Sequence, residues 1–225
     1  LVAPQATAAI INDLLVGFVL GRDSSDRELL HDELYNLMRV RGYTGGFYLD
    51  ALASIDIALW DIAGKRSGQT VATLLTKNSG RTENMLQTIP AYVSGLPEDT
   101  LEARCDLAGS WRERGFDSFK FASPVADQGL PQELKSLRQR LGDGAKIACD
   151  MHWAYSANEA VELAHSMTPD KPWFLEAPVA PEDIEAIARV SEAVDLPIAA
   201  GERHSHIYGV RQLIEREIVD VIQPD

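Results

Sequence analysis

Short apolar runs alternate with helix-like segments along roughly the last two thirds of the chain. The runs have the length of strands, and the segments between them repeat apolar residues at helical spacing. Strands are predicted at residues 88–93, 118–122, 146–150, 173–176, 198–202 and 219–225. Strands that alternate with helices predict right-handed crossovers and a parallel sheet.

The first 75 residues carry a different pattern, which is mostly helical. Helices are predicted at 4–20, 27–40 and 49–65, the last closed by Gly64 and Gly68. That last segment is unusually apolar, as expected of a helix buried on most sides. The pattern therefore predicts an α/β chain in two parts, a helical region over 1–75 and a βα region over 76–225.

Three acidic residues end successive predicted strands. Asp150, Glu176 and Glu202 are separated by two equal intervals of 26 residues. The carboxyl ends of parallel strands open on one face, which in a βα barrel carries the active site. Carboxylates that converge there repel one another unless a cation neutralises them. Oxygen ligands without Cys or His favour Mg²⁺ over Zn²⁺, so we predict one magnesium site.

The alternative is that each acid caps the helix that follows it. The sequence offers other residues for that role. A capping box, Ser156-x-x-Glu159, precedes the helix after Asp150. A helix predicted to begin near residue 181 has Asp183 in its first turn, and Ser205 is a cap candidate after Glu202. Capping is therefore the weaker explanation for three acids at equal intervals.

Composition and net charge exclude some classes of binding partner. The chain has 225 residues and a formal net charge of −13, which opposes binding to nucleic acid or to an anionic membrane. No apolar stretch reaches the roughly 18 residues of a membrane span. Only two cysteines occur, Cys105 and Cys149, which favours a reducing compartment such as the cytoplasm. A small anionic substrate is still allowed, because distant surface charge is screened over about 8–10 Å.

Six parallel strands are too few to close an eight-stranded barrel. The last predicted strand runs to Asp225, which would leave an unpaired apolar edge. We therefore expect the sequence to be a fragment of a longer protein, inactive by itself, whose activity belongs to the complete protein.

Two further motifs accompany the strand-end acids, Ser118-Phe-Lys120-Phe-Ala122 before them and Ile222-Gln-Pro-Asp225 after them. Together with the apolar helix over 51–61, this ordered set resembles the enolase superfamily, in its mandelate racemase and acid-sugar dehydratase branch. The resemblance implies an incomplete TIM-like, modified β/α barrel, preceded by the helical part of an α+β capping domain. It also implies a homo-oligomer for the complete protein.

The resemblance assigns roles to the strand-end residues. Asp150, Glu176 and Glu202 match three Mg²⁺ ligands, and the metal would hold the substrate carboxylate. Asp225 matches an acid that orients a histidine on the next strand, beyond the end of this chain, and that dyad would remove the proton α to the carboxylate. Lys120 matches a lysine that binds the carboxylate and stabilises the enolate.

Residues 122 and 152 favour dehydration over racemisation. Racemases of this branch carry Lys-x-Lys on the second strand, but Ala122 replaces the second lysine and cannot act as a base. Alternation along a strand places His152 on the side of Asp150. In galactonate-type dehydratases, an Asp-x-His at this position supplies the acid that protonates the departing 3-hydroxyl, and we predict that role for His152.

Three neighbours complete the predicted site. Trp153, Arg203 and His204 are candidates for binding substrate, with aromatic packing, a salt bridge and a surface position as their respective alternatives. The expected function is Mg²⁺-dependent dehydration of a sugar acid to a 2-keto-3-deoxy acid. An epimerase, racemase or cycloisomerase of the same superfamily, and a non-catalytic barrel fragment, are the alternatives.

Overall fold

The structure is a computed structural model that describes residues 3–78 and 88–224. The chain forms two compact units, Leu1–Ile89 and Pro90–Asp225. No single helix among the described residues is long and apolar enough to cross a bilayer. One consecutive pair, Pro4–Val19 with Ser24–Arg39, reaches that length and composition together, but it bends by 118° at its break.

The first unit is helical where it is described. Its α-helices are α1 (Pro4–Ile10), α2 (Val16–Val19), α3 (Arg27–Arg39), α4 (Gly46–Ser67) and α5 (Val71–Asn78). A π-helical stretch, Ile11–Leu15, joins α1 to α2, so the segment predicted as one helix is interrupted by a wider turn. Helix α4 ends at Ser67 and is capped by Gly68 in the left-handed conformation, φ +64°, which confirms one of the two predicted closing glycines; Gly64 lies inside the helix.

A small core holds these helices together. It consists of buried residues of the π-helical stretch, α3 and α4: Leu15, Leu34, Tyr35, Tyr48, Ala51 and Leu52. The Tyr48 hydroxyl donates a hydrogen bond to the Leu34 carbonyl across this core. Ile57 is 68% exposed on α4. The prediction that this helix is buried on most sides is therefore wrong, because it packs against α1, α3 and α5 but leaves Ile57 and Ile62 exposed.

The second unit is built on a parallel sheet, which confirms the predicted α/β fold. Among its described residues the strands follow chain order as β1 (Val93–Ser94), β2 (Ser118–Ala122), β3 (Lys146–Asp150), β4 (Leu175–Glu176), β5 (Ile198–Ala200) and β6 (Val221–Ile222). The bounds predicted for β2 and β3 are confirmed. The other strands are shorter than predicted, and β1, β4 and β5 are each followed by a residue with positive φ, at Gly95, Ala177 and Gly201.

Helices connect the strands. They are α6 (Leu101–Glu113), α7 (Leu130–Leu141), α8 (Ala157–Met167), α9 (Ile184–Ala193) and α10 (His206–Glu215). The capping box of Ser156 and Glu159 at α8 is confirmed. The start predicted near residue 181 is wrong, because Asp183 is the N-cap of α9 and its side chain accepts from the Ala186 N–H at 2.8 Å. Ser205 occupies the N-cap position of α10 without a side-chain hydrogen bond.

Alternation along the strands separates two environments. One face packs against the helices and contributes fully buried apolar residues: Phe119, Phe121, Ile147, Cys149, Leu175 and Ile198. The opposite face has a small apolar floor of Ala148, Phe174 and Ala199. Toward the carboxyl ends of the strands this second face becomes polar, and the candidate site lies there.

A buried ion pair ties α6 to α7. The Arg104 Nε donates to Glu133 Oε1 at 2.7 Å and Nη2 donates to Oε2 at 2.8 Å, and both side chains are fully buried. Asp127 accepts a hydrogen bond from Nη2, and the Glu98 carbonyl accepts one from Nη1. The hydrogen bond with Glu133, opposed by burial, raises the pKa of Arg104 above its ordinary value. The guanidinium therefore remains charged inside the protein.

Replacing Arg104 with methionine is expected to lower the free energy of unfolding by about 3–5 kcal/mol, because Glu133 would be left charged and buried without its partner. Urea denaturation measures the change. The matched control is Arg211→Met, which removes an exposed pair with Glu215 at 3.7 Å and should cost about 0.5 kcal/mol or less. The double variant Arg104→Met/Glu133→Leu should recover much of the loss. Equal losses in Arg104→Met and Arg211→Met would contradict the prediction.

Candidate active site

Two of the three predicted metal ligands lie side by side. Asp150 and Glu176 are partners in the register of β3 and β4, at the carboxyl ends of both strands. The partner of Glu176 on β5 is Ala199, so Glu202 follows three residues beyond that level. Equal intervals along the sequence therefore do not correspond to equal positions in the sheet.

Glu202 lies in a turn rather than on a strand. The chain leaves β5 after Ala200 at Gly201, which has φ +144°, and the His204 N–H donates to the Gly201 carbonyl at 2.8 Å. Glu202 is 39% exposed at its side chain, and its Oε1 is 3.9 Å from Nη2 of Arg203. The predicted strand end at Glu202 is wrong, because the glycine conformation breaks the extended backbone two residues earlier.

The structure does not gather the predicted trio of carboxylates. Within residues 3–78 and 88–224, no three His, Cys, Asp or Glu side chains are close enough to hold one metal ion. What the structure brings together is the pair Asp150 and Glu176, with Glu202 separated from it by the turn after β5. Asp225, predicted to orient a catalytic histidine, lies outside the described residues.

The side chain of Lys120 connects this pair. Its Nζ donates to both carboxylate oxygens of Glu176, at 2.8 and 2.7 Å, and is 4.0 Å from Oδ2 of Asp150. Burial acts to lower the pKa of Lys120, but the hydrogen bonds and charge of Glu176 outweigh it, and the pKa is raised. Lys120 therefore remains an ammonium ion and a hydrogen-bond donor.

The surroundings of Asp150 disfavour its charged form. Burial raises the pKa of Asp150, and the neighbouring charge of Glu176 raises it further. The backbone N–H of His152 and the charge of Lys120 act in the opposite direction without cancelling the shift. A site with two adjacent carboxylates and a raised carboxyl pKa favours additional positive charge.

Gln223 is a site residue that the sequence analysis missed. It follows β6, and its Nε2 donates to Oε2 of Glu176 at 3.0 Å. The signal was present in Ile222-Gln-Pro-Asp225, because alternation places Gln223 on the same side of the last predicted strand as Asp225. Glu176 thus receives hydrogen bonds from β2 on one side and from the end of β6 on the other.

His152 lies beside Asp150, although not by strand alternation. β3 ends at Asp150, and His152 and Trp153 both adopt left-handed conformations, φ +56° and +57°. The His152 N–H donates to Asp150 Oδ1 at 2.9 Å, and its Nδ1 is 3.8 Å from Oδ2. Consecutive left-handed residues with side chains are strained, and such strain occurs preferentially at functional sites. The imidazole is half exposed and accessible to a ligand.

The three predicted substrate-binding residues lie together in the loops that follow β3 and β5. Trp153, Arg203 and His204 contribute to the lining of one cavity of about 10 Å³, which has room for about one water molecule. The guanidinium carbon of Arg203 is 4.8 Å from the centre of the Trp153 ring. Burial lowers the pKa of His204, opposed by a hydrogen bond with the Pro181 backbone.

The donor set fits Mg²⁺ better than a softer metal. Asp150 and Glu176 offer hard carboxylate oxygens, and the adjacent thiol of Cys149 lies on the opposite face, in the core under the helices. Mg²⁺ is commonly held by one or two carboxylates together with water and substrate oxygens, so the observed pair is a sufficient protein contribution. The site combines two adjacent carboxylates, a protonated lysine and an accessible imidazole.

Both parts of the chain match known protein families. Residues 2–76 match the family described as mandelate racemase / muconate lactonizing enzyme, N-terminal domain. Residues 103–225 match the family described as enolase C-terminal domain-like. The second match alone covers more than half of the chain and includes the described site residues.

Individual relatives agree with that placement. A D-galactarolactone cycloisomerase of Agrobacterium fabrum is 30% identical over 226 residues, covering 99% of this chain and 58% of that protein. A D-galactonate dehydratase of Xanthomonas euvesicatoria pv. vesicatoria is 30% identical over 220 residues, 94% of this chain and 55% of that protein. A solved structure of an enolase superfamily member from Agrobacterium tumefaciens matches with a TM-score of 0.92 and 54% identity, covering 99% of this chain and 56% of that one. The chain therefore spans a little over half the length of these proteins.

Proposed function

The chain belongs to the enolase superfamily, in its mandelate racemase and acid-sugar dehydratase branch, and from that membership we propose that the complete protein is a Mg²⁺-dependent dehydratase of sugar acids. The observation that carries the proposal is the buried Asp150–Glu176 pair, bonded to Lys120 and flanked by an accessible His152. The names of the dehydratase relatives support a sugar acid as substrate.

In this proposal Asp150 and Glu176 would hold Mg²⁺, with water and substrate oxygens as the other ligands. The bound ion supplies positive charge for the substrate carboxylate, which makes the neighbouring C2 proton easier to remove. Lys120 donates hydrogen bonds to the charge that develops on the carboxylate, and its raised pKa suits a donor rather than a base. The proposal leaves removal of the C2 proton to a histidine of the complete protein, which Asp225 would orient.

The second half of the reaction is the loss of the 3-hydroxyl. The C2–H electrons form the new C2–C3 double bond, and the C3–O bond breaks as His152 transfers a proton to the departing oxygen, releasing water. The resulting enol becomes the 2-keto-3-deoxy acid. Enzymes lower barriers by about 8–23 kcal/mol; a cation can supply several of these, and a positioned acid about 3–5. Lys120 and the absent base would contribute the remainder.

A cycloisomerase is the second candidate, because a relative with that name is 30% identical over 99% of this chain. Such a reaction needs no acid at His152 to expel a hydroxyl as water. We further propose a reducing, cytoplasmic location, which fits the free thiols of Cys105 and Cys149.

Mg²⁺ at about 100 times its dissociation constant is expected to stabilise the fold by roughly 2.7 kcal/mol, which corresponds to a rise in Tm of about 5–10 °C. Differential scanning fluorimetry with Mg²⁺, and then with excess EDTA, measures the rise and its reversal. The double variant Asp150→Asn/Glu176→Gln serves as the control and should show no rise. An equal rise in this variant would place the bound ion elsewhere.

The reaction itself is tested by incubating the full-length protein with a panel of sugar acids and their lactones. Formation of 2-keto-3-deoxy acids supports the proposed dehydratase. Conversion of a lactone without loss of water would instead establish the cycloisomerase. Failure of every substrate with the metal-loaded, folded protein would favour a non-catalytic role.

A further inference from the structure

Gln223 is held rigidly beside the carboxylate pair by its backbone. Its N–H donates to the Ala200 carbonyl at 3.0 Å, so the end of β6 is fixed to β5. A Cβ on Gly201 would lie 2.8 Å from Gln223 N and 2.9 Å from its carbonyl carbon. Only glycine at residue 201 allows this close approach. The position of the Gln223 side chain is therefore set by the sheet and not by a loop.

The two ends of the Gln223 amide have different surroundings. Nε2 donates to Oε2 of Glu176, the same oxygen that accepts from Lys120. Oε1 is buried and has no hydrogen-bond partner among the described residues. Turning the amide over would place its acceptor oxygen against the acceptor oxygen of Glu176, so the hydrogen bond to Glu176 determines the orientation.

An unpaired buried acceptor is unfavourable, because it has lost its hydrogen bonds to water without gaining another. Such a group is explained when a donor is present in the working state of the protein, as a bound water or a ligand. The acceptor belongs to the same side chain that bonds Glu176, next to the proposed cation site. A cation held by Asp150 and Glu176 retains water or binds ligand oxygens, and both can present an O–H group.

We propose that Gln223 is a positioning residue of the cation site, with a separate function at each end of its amide. The N–H group orients Glu176, and the carbonyl oxygen accepts a hydrogen bond from an O–H donor that enters with the cation. The donor is a water molecule or a hydroxyl of the ligand. This inference rests on the proposed function, because the cation is the Mg²⁺ of that proposal.

The test is Gln223→Met, which nearly preserves volume and removes both polar groups. Mg²⁺ affinity, measured by titration calorimetry on the 225-residue chain, is expected to fall about 10–100-fold, as for other residues that orient metal ligands. The Tm without Mg²⁺ should change little, because removing an unpaired acceptor offsets the lost hydrogen bond. A lower Tm with Mg²⁺ affinity within twofold of the native chain would overturn the proposal and leave a purely structural role.

Gln132→Met is the matched control. Gln132 is an exposed glutamine on α7 that donates to Ser136 at 3.1 Å, and its replacement should change neither measurement. If Gln223→Met does not fold, Gln223→Asn carries the same expectation, because its shorter side chain withdraws the amide from Glu176. An unchanged affinity in Gln223→Asn would again overturn the proposal.

Repeating the titration with D-galactonate present separates the two donors. If Gln223→Met weakens the binding of Mg²⁺ alone and D-galactonate causes no further loss, water is the partner of Oε1. If Gln223→Met also weakens the binding of D-galactonate, a ligand hydroxyl is the partner. If the native chain and Gln223→Met bind Mg²⁺ equally well, only the role of Gln223 is refuted. If the native chain binds no Mg²⁺, both the metal site of the proposed function and the role of Gln223 are refuted.

Discussion

Replacing Glu176 with glutamine is expected to lower the Mg²⁺-dependent kcat/KM of the complete enzyme by at least about a thousandfold, since a metal that stabilises developing charge contributes several kcal/mol. Glu176 is the central group of the site: it bonds Lys120 through both oxygens and receives the Gln223 amide. The substitution preserves shape but removes one of the two negative charges that would hold the cation. Steady-state kinetics with a Mg²⁺ titration measures the effect.

The same variant has a second expected consequence within the site. Burial and then the charge of Glu176 raise the pKa of Asp150, so that pKa should fall once the Glu176 charge is gone. Glu162→Gln, on the exposed surface of α8, is the control and should leave turnover unchanged. Circular dichroism establishes that both variants are folded. A Glu176→Gln enzyme with turnover within tenfold of the native rate would remove the carboxylate pair from the mechanism.

Replacing His152 with asparagine is expected to lower dehydration by about 10²–10⁴-fold, the usual contribution of a positioned general acid. Asparagine suits this test because it tolerates the left-handed conformation at residue 152, φ +56°, better than most residues. It also retains the backbone N–H that donates to Asp150. Mg²⁺ affinity should therefore stay within a few-fold of the native value while the proton donor is lost.

Exchange of the C2 hydrogen with solvent deuterium separates the role of His152 from that of the base. In His152→Asn this exchange should continue, because another group removes the C2 proton, while release of the 2-keto-3-deoxy acid nearly stops. His165→Asn is the control: this exposed histidine on α8 lies within hydrogen-bond distance of the Ala193 carbonyl, and its loss should not affect turnover. Unchanged dehydration of every sugar acid in the panel by His152→Asn would eliminate the acid role and favour the cycloisomerase.

Much of the second unit could be predicted from local patterns. The bounds of β2 and β3 agree with their apolar runs, because both strands lie inside the sheet and are buried on the helix side. The capping box at α8 agrees as well, because its hydrogen bonds join residues only three apart. Helix α9 begins later than expected, since Asp183 takes the cap position rather than a place in the first turn.

Other features depend on contacts between distant segments. Lys120 bonds Glu176 across two strand pairings, and Gln223 reaches the same carboxylate from the end of β6. The interval between acids could not show that Glu176 pairs with Ala199, because the register depends on how far each crossover shifts the next strand. The turn at Gly201 depends on the close approach of the Gln223 backbone, which no local pattern encodes.

By itself, the sequence determined the parallel α/β architecture, the family and the presence of acids at the ends of β3 and β4, because hydrophobic periodicity and short motifs are local properties of a chain. The tertiary structure alone decided which charged groups meet. Strand register and one glycine turn place Asp150 beside Glu176 and direct Glu202 toward Arg203. Ionic contacts act over a few ångströms, so strand register and the turn after β5 decide which carboxylates lie close together.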